Sequence, residues 1–167
     1  MEIYSPPREI DMCRKYVLEP GESLDLKTRW DLSNRNEQRR ARESVRARAP
    51  YLIICSPPCT KFSNLQRLNK AINGPEWHEK FEVELEEAKE HVRFCVGLMR
   101  EQLAAGRHFL FEHPAWASSW DLPELQSLAE TPGVLCQRAD QFMYGLVAPG
   151  ESGVDTIATK PTGFLSP

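Results

Sequence analysis

Two short apolar runs with one long amphipathic stretch between them decide what this 167-residue chain can fold into. Tyr51-Leu52-Ile53-Ile54 reads as a buried strand, and it stops at Pro57-Pro58, which cannot continue a ladder. Phe81, Leu85, Ala88, Val92, Cys95, Val96, Met99 and Leu103 then recur at spacings of three and four. Residues 81–105 therefore read as a helix with one buried face, closed by Gly106. His108-Phe109-Leu110-Phe111-Glu112 follows as a second strand. Strands alternating with helices argue for a mostly parallel sheet.

The rest of the chain extends that pattern. Residues 2–4 and 23–26 read as short strands, with a helix over 8–16 between them and a turn at Pro20-Gly21. Asn34 to Ala49 is rich in Arg, Glu, Gln and Ala and reads as a largely solvated helix. Residues 60–78 read as an irregular loop, 122–129 as a short helix and 134–138 as a strand, with a Gly/Pro-rich tail beyond 146. The expected fold is α/β, a Rossmann-like, doubly wound, mostly parallel sheet in one domain over residues 1–167.

A net charge of −3 gives no global basic field, although Arg35, Arg39, Arg40, Arg42, Arg46 and Arg48 crowd one segment. No stretch reaches the roughly 20 apolar residues of a membrane span, and the first residues do not pattern as a signal peptide. Five cysteines without framework spacing read as reduced thiols in a cytosolic protein. Cys55 and Cys59 lack the spacing of a zinc pair and have no second pair to join, so no metal site is expected.

The chemistry concentrates at the ends of the two clear strands. Cys59 sits on a stiff Pro57-Pro58 turn, with Phe62 and Ser63 just after it. Ligands of open α/β sheets bind outside the carboxyl ends of the strands, so this thiol is placed for nucleophilic attack. Glu112 ends the Phe-Leu-Phe strand on the same edge, followed by His113 and Pro114. Trp116 and Trp120 lie just beyond and are candidates either for stacking on a base or for the core.

Pro-Pro-Cys-x-x-Phe-Ser followed by Glu-His-Pro resembles two motifs of the cytosine-C5 DNA methyltransferases, over about residues 2–145. The resemblance implies that Cys59 adds to C6 of a flipped pyrimidine. It implies that Glu112, in place of the family's Glu-Asn-Val glutamate, hydrogen-bonds N3 and helps protonate it. Pro58, Phe62, Ser63, His113 and Arg138 would line the substrate pocket. Tyr4, Ser5, Asp25 and Pro57 would lie about S-adenosylmethionine, with Asp25 as the acidic residue at the second strand end. Two features depart from the family. Pro6-Pro7 replaces the glycines of the first loop, and the chain has no room for a target-recognition domain.

Three functions follow as expectations. The first is a methyltransferase-like enzyme on a pyrimidine in nucleic acid, DNA rather than RNA, with a homodimer or a partner supplying target recognition. The second keeps the pyrimidine-activating site for a base modification that does not use S-adenosylmethionine. The third is a non-catalytic binding protein on a decayed methyltransferase fold, of a kind suited to phage or mobile elements.

Overall fold

The computed structural model describes residues 1–149, 155–157 and 159–167. Its centre is a six-stranded sheet in the order β2-β1-β3-β4-β8-β5. The strands are β1 (Glu2–Ile3), β2 (Ser23–Leu24), β3 (Leu52–Cys55), β4 (His108–Pro114), β5 (Leu135–Asp140) and β8 (Pro161–Ser166). β1 pairs in parallel with β2 and β3, and β3 with β4. β8 runs antiparallel between β4 and β5, so the other five strands share one direction. The α/β, mostly parallel fold expected from the sequence is therefore present. β6 (Val147–Pro149) and β7 (Asp155–Ile157) form a separate antiparallel pair.

Among the described residues five α-helices accompany the sheet: α1 (Glu9–Cys13), α2 (Arg35–Arg48), α3 (Leu65–Ile72), α4 (Pro75–Ala104) and α5 (Pro123–Ala129). α2 starts where Asn34 accepts the Asn36 amide on its side chain, at 2.8 Å. Gly74-Pro75 opens α4, proline being suited to a first turn whose amides are unpaired anyway. Gly106, at φ +67°, turns the chain out of α4 into β4.

α4 lies on β3 and β4 and packs against α2 and α5. Its buried face (Ala88, Val92, Cys95, Val96, Met99) meets Ile53, Cys55, Phe109 and Phe111. Burial alternates along β3 and β4, so one sheet face is fully covered and the other half-covered. Four arginines of α2 pair within the chain: Arg42 and Arg46 both bind Glu101 of α4, at 2.7 and 2.8 Å, Arg40 binds Glu37 and Arg48 binds Glu22.

Two expectations need correction. Residues 60–78 are not an irregular loop, since they hold a 3₁₀ turn, all of α3 and the first turn of α4. The residues beyond 146 are not a mere tail either. Pro161–Ser166 is an interior strand of the sheet, and Leu165 is fully buried between Phe111 and Cys136. Among the described residues no helix is long and apolar enough to cross a membrane.

Candidate functional site

The strand order reverses at β1, with β2 on one side and β3 on the other, which makes the carboxyl ends of β1 and β3 the switch point of the sheet. The two sequence motifs lie beside it, on neighbouring parallel strands. Cys55 pairs with Phe111, so Ser56 and Glu112 are one step past the last paired positions. β3 leaves the sheet there, whereas Glu112 does not end its strand as expected: β4 runs on to Pro114, paired with β8.

The Cys59 loop is held from below. The Ser56 amide donates to the Ile3 carbonyl at 3.0 Å, and Pro57 is buried while Pro58 is exposed. Cys59 is half-buried and its carbonyl accepts the Phe62 amide at 3.0 Å, which starts a 3₁₀ turn over Thr60–Phe62. Phe62 is buried beside the His113 ring, with centroids 5.6 Å apart, and the Ser118 hydroxyl reaches its carbonyl at 3.4 Å. The Ser63 hydroxyl accepts the Leu65 amide at 3.3 Å at the start of α3.

His113 ties this loop to β4. It is 1% exposed and lies parallel to Phe111, with centroids 5.6 Å apart. Its Nδ1 faces the Ser119 hydroxyl at 2.6 Å. Burial pulls its pKa down to about 4, and the Pro57 and Pro58 carbonyls oppose that shift only in part. Nε2 meets no acceptor in full hydrogen-bond geometry among the described residues, so those carbonyls are neighbours of the ring rather than well-aligned partners. A neutral ring that accepts a hydrogen bond from the Ser119 hydroxyl at Nδ1 carries its own proton on Nε2, on the side of the loop. His113 and Phe62 therefore carry the Cys59 loop, and in this conformation neither presents a surface to a ligand.

Glu112 points to the other, half-covered face of the sheet. Its Oε1 is shielded from water and accepts no hydrogen bond among the described residues, but the Lys160 ammonium stands 3.5 Å away. Lys160 precedes β8 and went unmarked in the sequence, because only the fold brings it beside Glu112. Arg138 on β5 lays its guanidinium over Trp116, 4.6 Å from the ring centroid. Trp116 is exposed, whereas Trp120 packs edge-on to Phe111 and donates to the Pro114 carbonyl at 2.8 Å.

The crevice at β1 is built differently from a glycine-rich loop. Tyr4 leaves the strand at φ 62°, a left-handed conformation uncommon for a tyrosine. Its hydroxyl meets His91 Nδ1 at 2.8 Å, and burial drives its pKa far up. His91 is thus half-buried at the switch point. Burial lowers its pKa, against the Asp31 carboxylate and other groups that favour the charged ring. Ser5 is buried and its carbonyl accepts the Ser23 hydroxyl at 2.5 Å.

Glu2, 1% exposed, takes the Ile10 amide at 2.7 Å and the Arg8 amide at 3.3 Å. Burial and the neighbouring Glu2 carboxyl push the Glu9 pKa up. Asp25 ends β2 as expected, but its Oδ1 accepts the Lys27 amide at 2.9 Å as a helix cap. Pro6 and Pro7 have no amide to give, and the amides of Arg8 and Ile10 already serve Glu2. These residues do not fit S-adenosylmethionine in the manner of the family's first loop.

Beside the loop, Pro58, Thr60, Lys61, Glu84, Glu87 and His91 line an open cleft of about 310 Å³. Among the described residues no cluster of His, Cys, Asp or Glu is arranged to hold a metal ion. Comparison with protein-family models, with curated proteins and with solved structures finds no match to this chain.

Proposed function

We propose that the chain is a cytosine-C5 methyltransferase-like protein that activates a pyrimidine base in nucleic acid by covalent addition. The observation that carries this reading is that Cys59 lies on the loop after β3 and Glu112 lies one residue past the last β3–β4 pair, on the adjacent parallel strand near the switch point. The Cys59 thiolate forms a bond to C6. The C5=C6 π pair moves toward N3 and O2, and N3 takes a proton from Glu112 provided that carboxyl has gained one before the base reacts. Reversal expels the thiolate and returns the proton, so the step needs no oxidant or reductant. A base inside a duplex must be extruded first, and single-stranded nucleic acid avoids that cost.

The first loop favours the version without a methyl donor. Its prolines and its occupied amides leave little to receive S-adenosylmethionine, whereas the adduct at C6 forms without it. The test is covalent trapping on single- and double-stranded oligonucleotides carrying 5-fluorocytosine, with and without S-adenosylmethionine, read on denaturing gels. A Cys59-dependent adduct supports the reading, and its dependence on the donor separates the two enzymatic versions. Glu112→Gln should slow trapping by about 10²–10⁴-fold, the usual worth of a positioned acid. No adduct on any substrate refutes the enzymatic reading and leaves the binding-protein alternative.

A further inference from the structure

We infer that the chain pairs with a second copy of itself edge to edge through β5, about a two-fold axis at Ala139, with Arg138 of each copy against Asp140 of the other. The inference is independent of the covalent-addition reading above.

Three observations carry it. The first is an open edge. β5 is the last strand of the sheet, and among the described residues only β8 pairs with it. Leu135, Cys136, Gln137 and Arg138 are all exposed. The Gln141 amide donates to the Lys160 carbonyl at 3.2 Å, which fixes the phase of the antiparallel ladder. Counting back by two, Ala139, Gln137 and Leu135 turn their amides and carbonyls to β8. Those of Cys136, Arg138 and Asp140 point outward and meet no other backbone group among the described residues. The strand carries no proline, no lysine and no bulge, the usual guards of such an edge.

The second is self-complementary charge. Arg138 and Asp140 are two apart, so their side chains share one face of the strand. An antiparallel partner must set outward-facing residues opposite one another. A two-fold axis at Arg138 would oppose two guanidinium groups, and one at Gln137 would leave both charges without a counterpart. An axis at Ala139 sets Arg138 against Asp140 twice over, once on each side of it. Asp140 has room for that donor in its bonding: its Oδ1 accepts no hydrogen bond among the described residues. A surface that matches itself in this way is what an isologous dimer requires.

The third is the apolar surface at the ends of the strand. The same register brings Leu135 of one copy to the turn over Gln141–Tyr144 of the other. Leu135, Phe142, Met143 and Tyr144 are all exposed in the single chain. Pairing covers them at both ends of the interface, with the charge pairs and the backbone ladder between. The two sheets then join into one of twelve strands, six from each copy.

The experiment is sedimentation velocity across a wide concentration range, with far-ultraviolet circular dichroism confirming the fold of each variant. Wild type should dimerise. Arg138→Asp and Asp140→Arg should each weaken the dimer by about tenfold or more, and the double variant Arg138→Asp/Asp140→Arg should recover it. A cross-link tests the register even if a charge variant fails to fold. At the axis, Ala139 faces its own copy in a non-hydrogen-bonded pair, with Cα atoms about 4.5 Å apart, within the range of a disulfide. Ala139→Cys in a Cys136→Ser background should therefore give a disulfide-linked dimer with glutathione disulfide, and Cys136→Ser alone should not. Cys136 of the wild type should not link to its own copy, since the register sets the two roughly 20 Å apart along the strands. A monomer at every concentration without cross-linking at Ala139→Cys overturns the inference. So does a dimer indifferent to the charge changes, or one that links through Cys136 instead.

Discussion

Leu165→Ala tests whether the last strand is part of the core. Leu165 is 0% exposed, lies on β8, and is flanked by Phe111 of β4 and Cys136 of β5. The substitution removes three carbons at about 0.8 kcal/mol each, or roughly 2.4 kcal/mol of transfer free energy. Phe111 is held by its own ladder with β3 and cannot close fully over the gap. A cavity term of about 1 kcal/mol adds to the first, which puts the cost near 3–4 kcal/mol, inside the usual range for buried Leu→Ala changes. For a chain of this size that lowers the melting temperature by roughly 6–16 °C.

Urea unfolding followed by tryptophan fluorescence and by far-ultraviolet circular dichroism would measure it. The midpoint should fall with the slope unchanged. Leu68→Ala is the control: this residue is 61% exposed on α3, and its loss should cost under about 0.5 kcal/mol. A Leu165→Ala cost no larger than the control's would mean that residues 161–166 do not complete the sheet. The placement of Lys160 would then fall with them.

Gly163→Ala probes the same strand from its other neighbour. An added Cβ would come within 2.5 Å of Trp120 Cζ2, and the indole is pinned by its 2.8 Å bond to the Pro114 carbonyl. A loss of about 1–3 kcal/mol in chemical denaturation is expected, and an unchanged midpoint would contradict the packing. His113 makes stability depend on pH. Its folded pKa of about 4 lies below the ordinary 6.5, so the unfolded chain binds the extra proton. The contribution is complete above pH 6.5 and is lost as the pH falls toward 4, by on the order of 3 kcal/mol. Wild type should lose more stability than His113→Asn across that window, and parallel curves would refute a buried neutral imidazole.

What could be read from the sequence is what local pattern determines. The β3–α4–β4 unit was legible because its apolar residues repeat at two clean periods and Gly106 marks the exit of the helix. α3 was hidden by Asn64, Asn69, Asn73 and Gly74, which resemble a loop. Its apolar residues Leu65, Leu68 and Ile72 do hold a helical spacing, but they face solvent, so no buried stripe announces them. Gly74-Pro75, a standard helix opening, marks a start for α4 earlier than the apolar period does. β8 was invisible for a different reason. Pro161 and Gly163 are poor strand residues, and only pairing with strands far back in the chain buries Thr162 and Leu165. The Tyr4–His91 contact joins residues 87 apart and has no local signal either.

Strand geometry separates Glu112 from His113. Successive side chains of β4 point to opposite faces, so the residue after Glu112 cannot share its pocket. Position 113 belongs with Phe109 and Phe111 on the covered face, where its task is to pack and to fill the space under the Cys59 loop. That loop begins with two prolines, which offer carbonyls and no amides. A side chain beneath them serves best with a donor turned upward and an acceptor that another group can fill. A neutral imidazole with the Ser119 hydroxyl at Nδ1 meets both conditions. His113 is therefore matched to Pro57, Pro58 and Ser119. Glu112, on the opposite face, instead has the ammonium of Lys160, the residue before β8, 3.5 Å away.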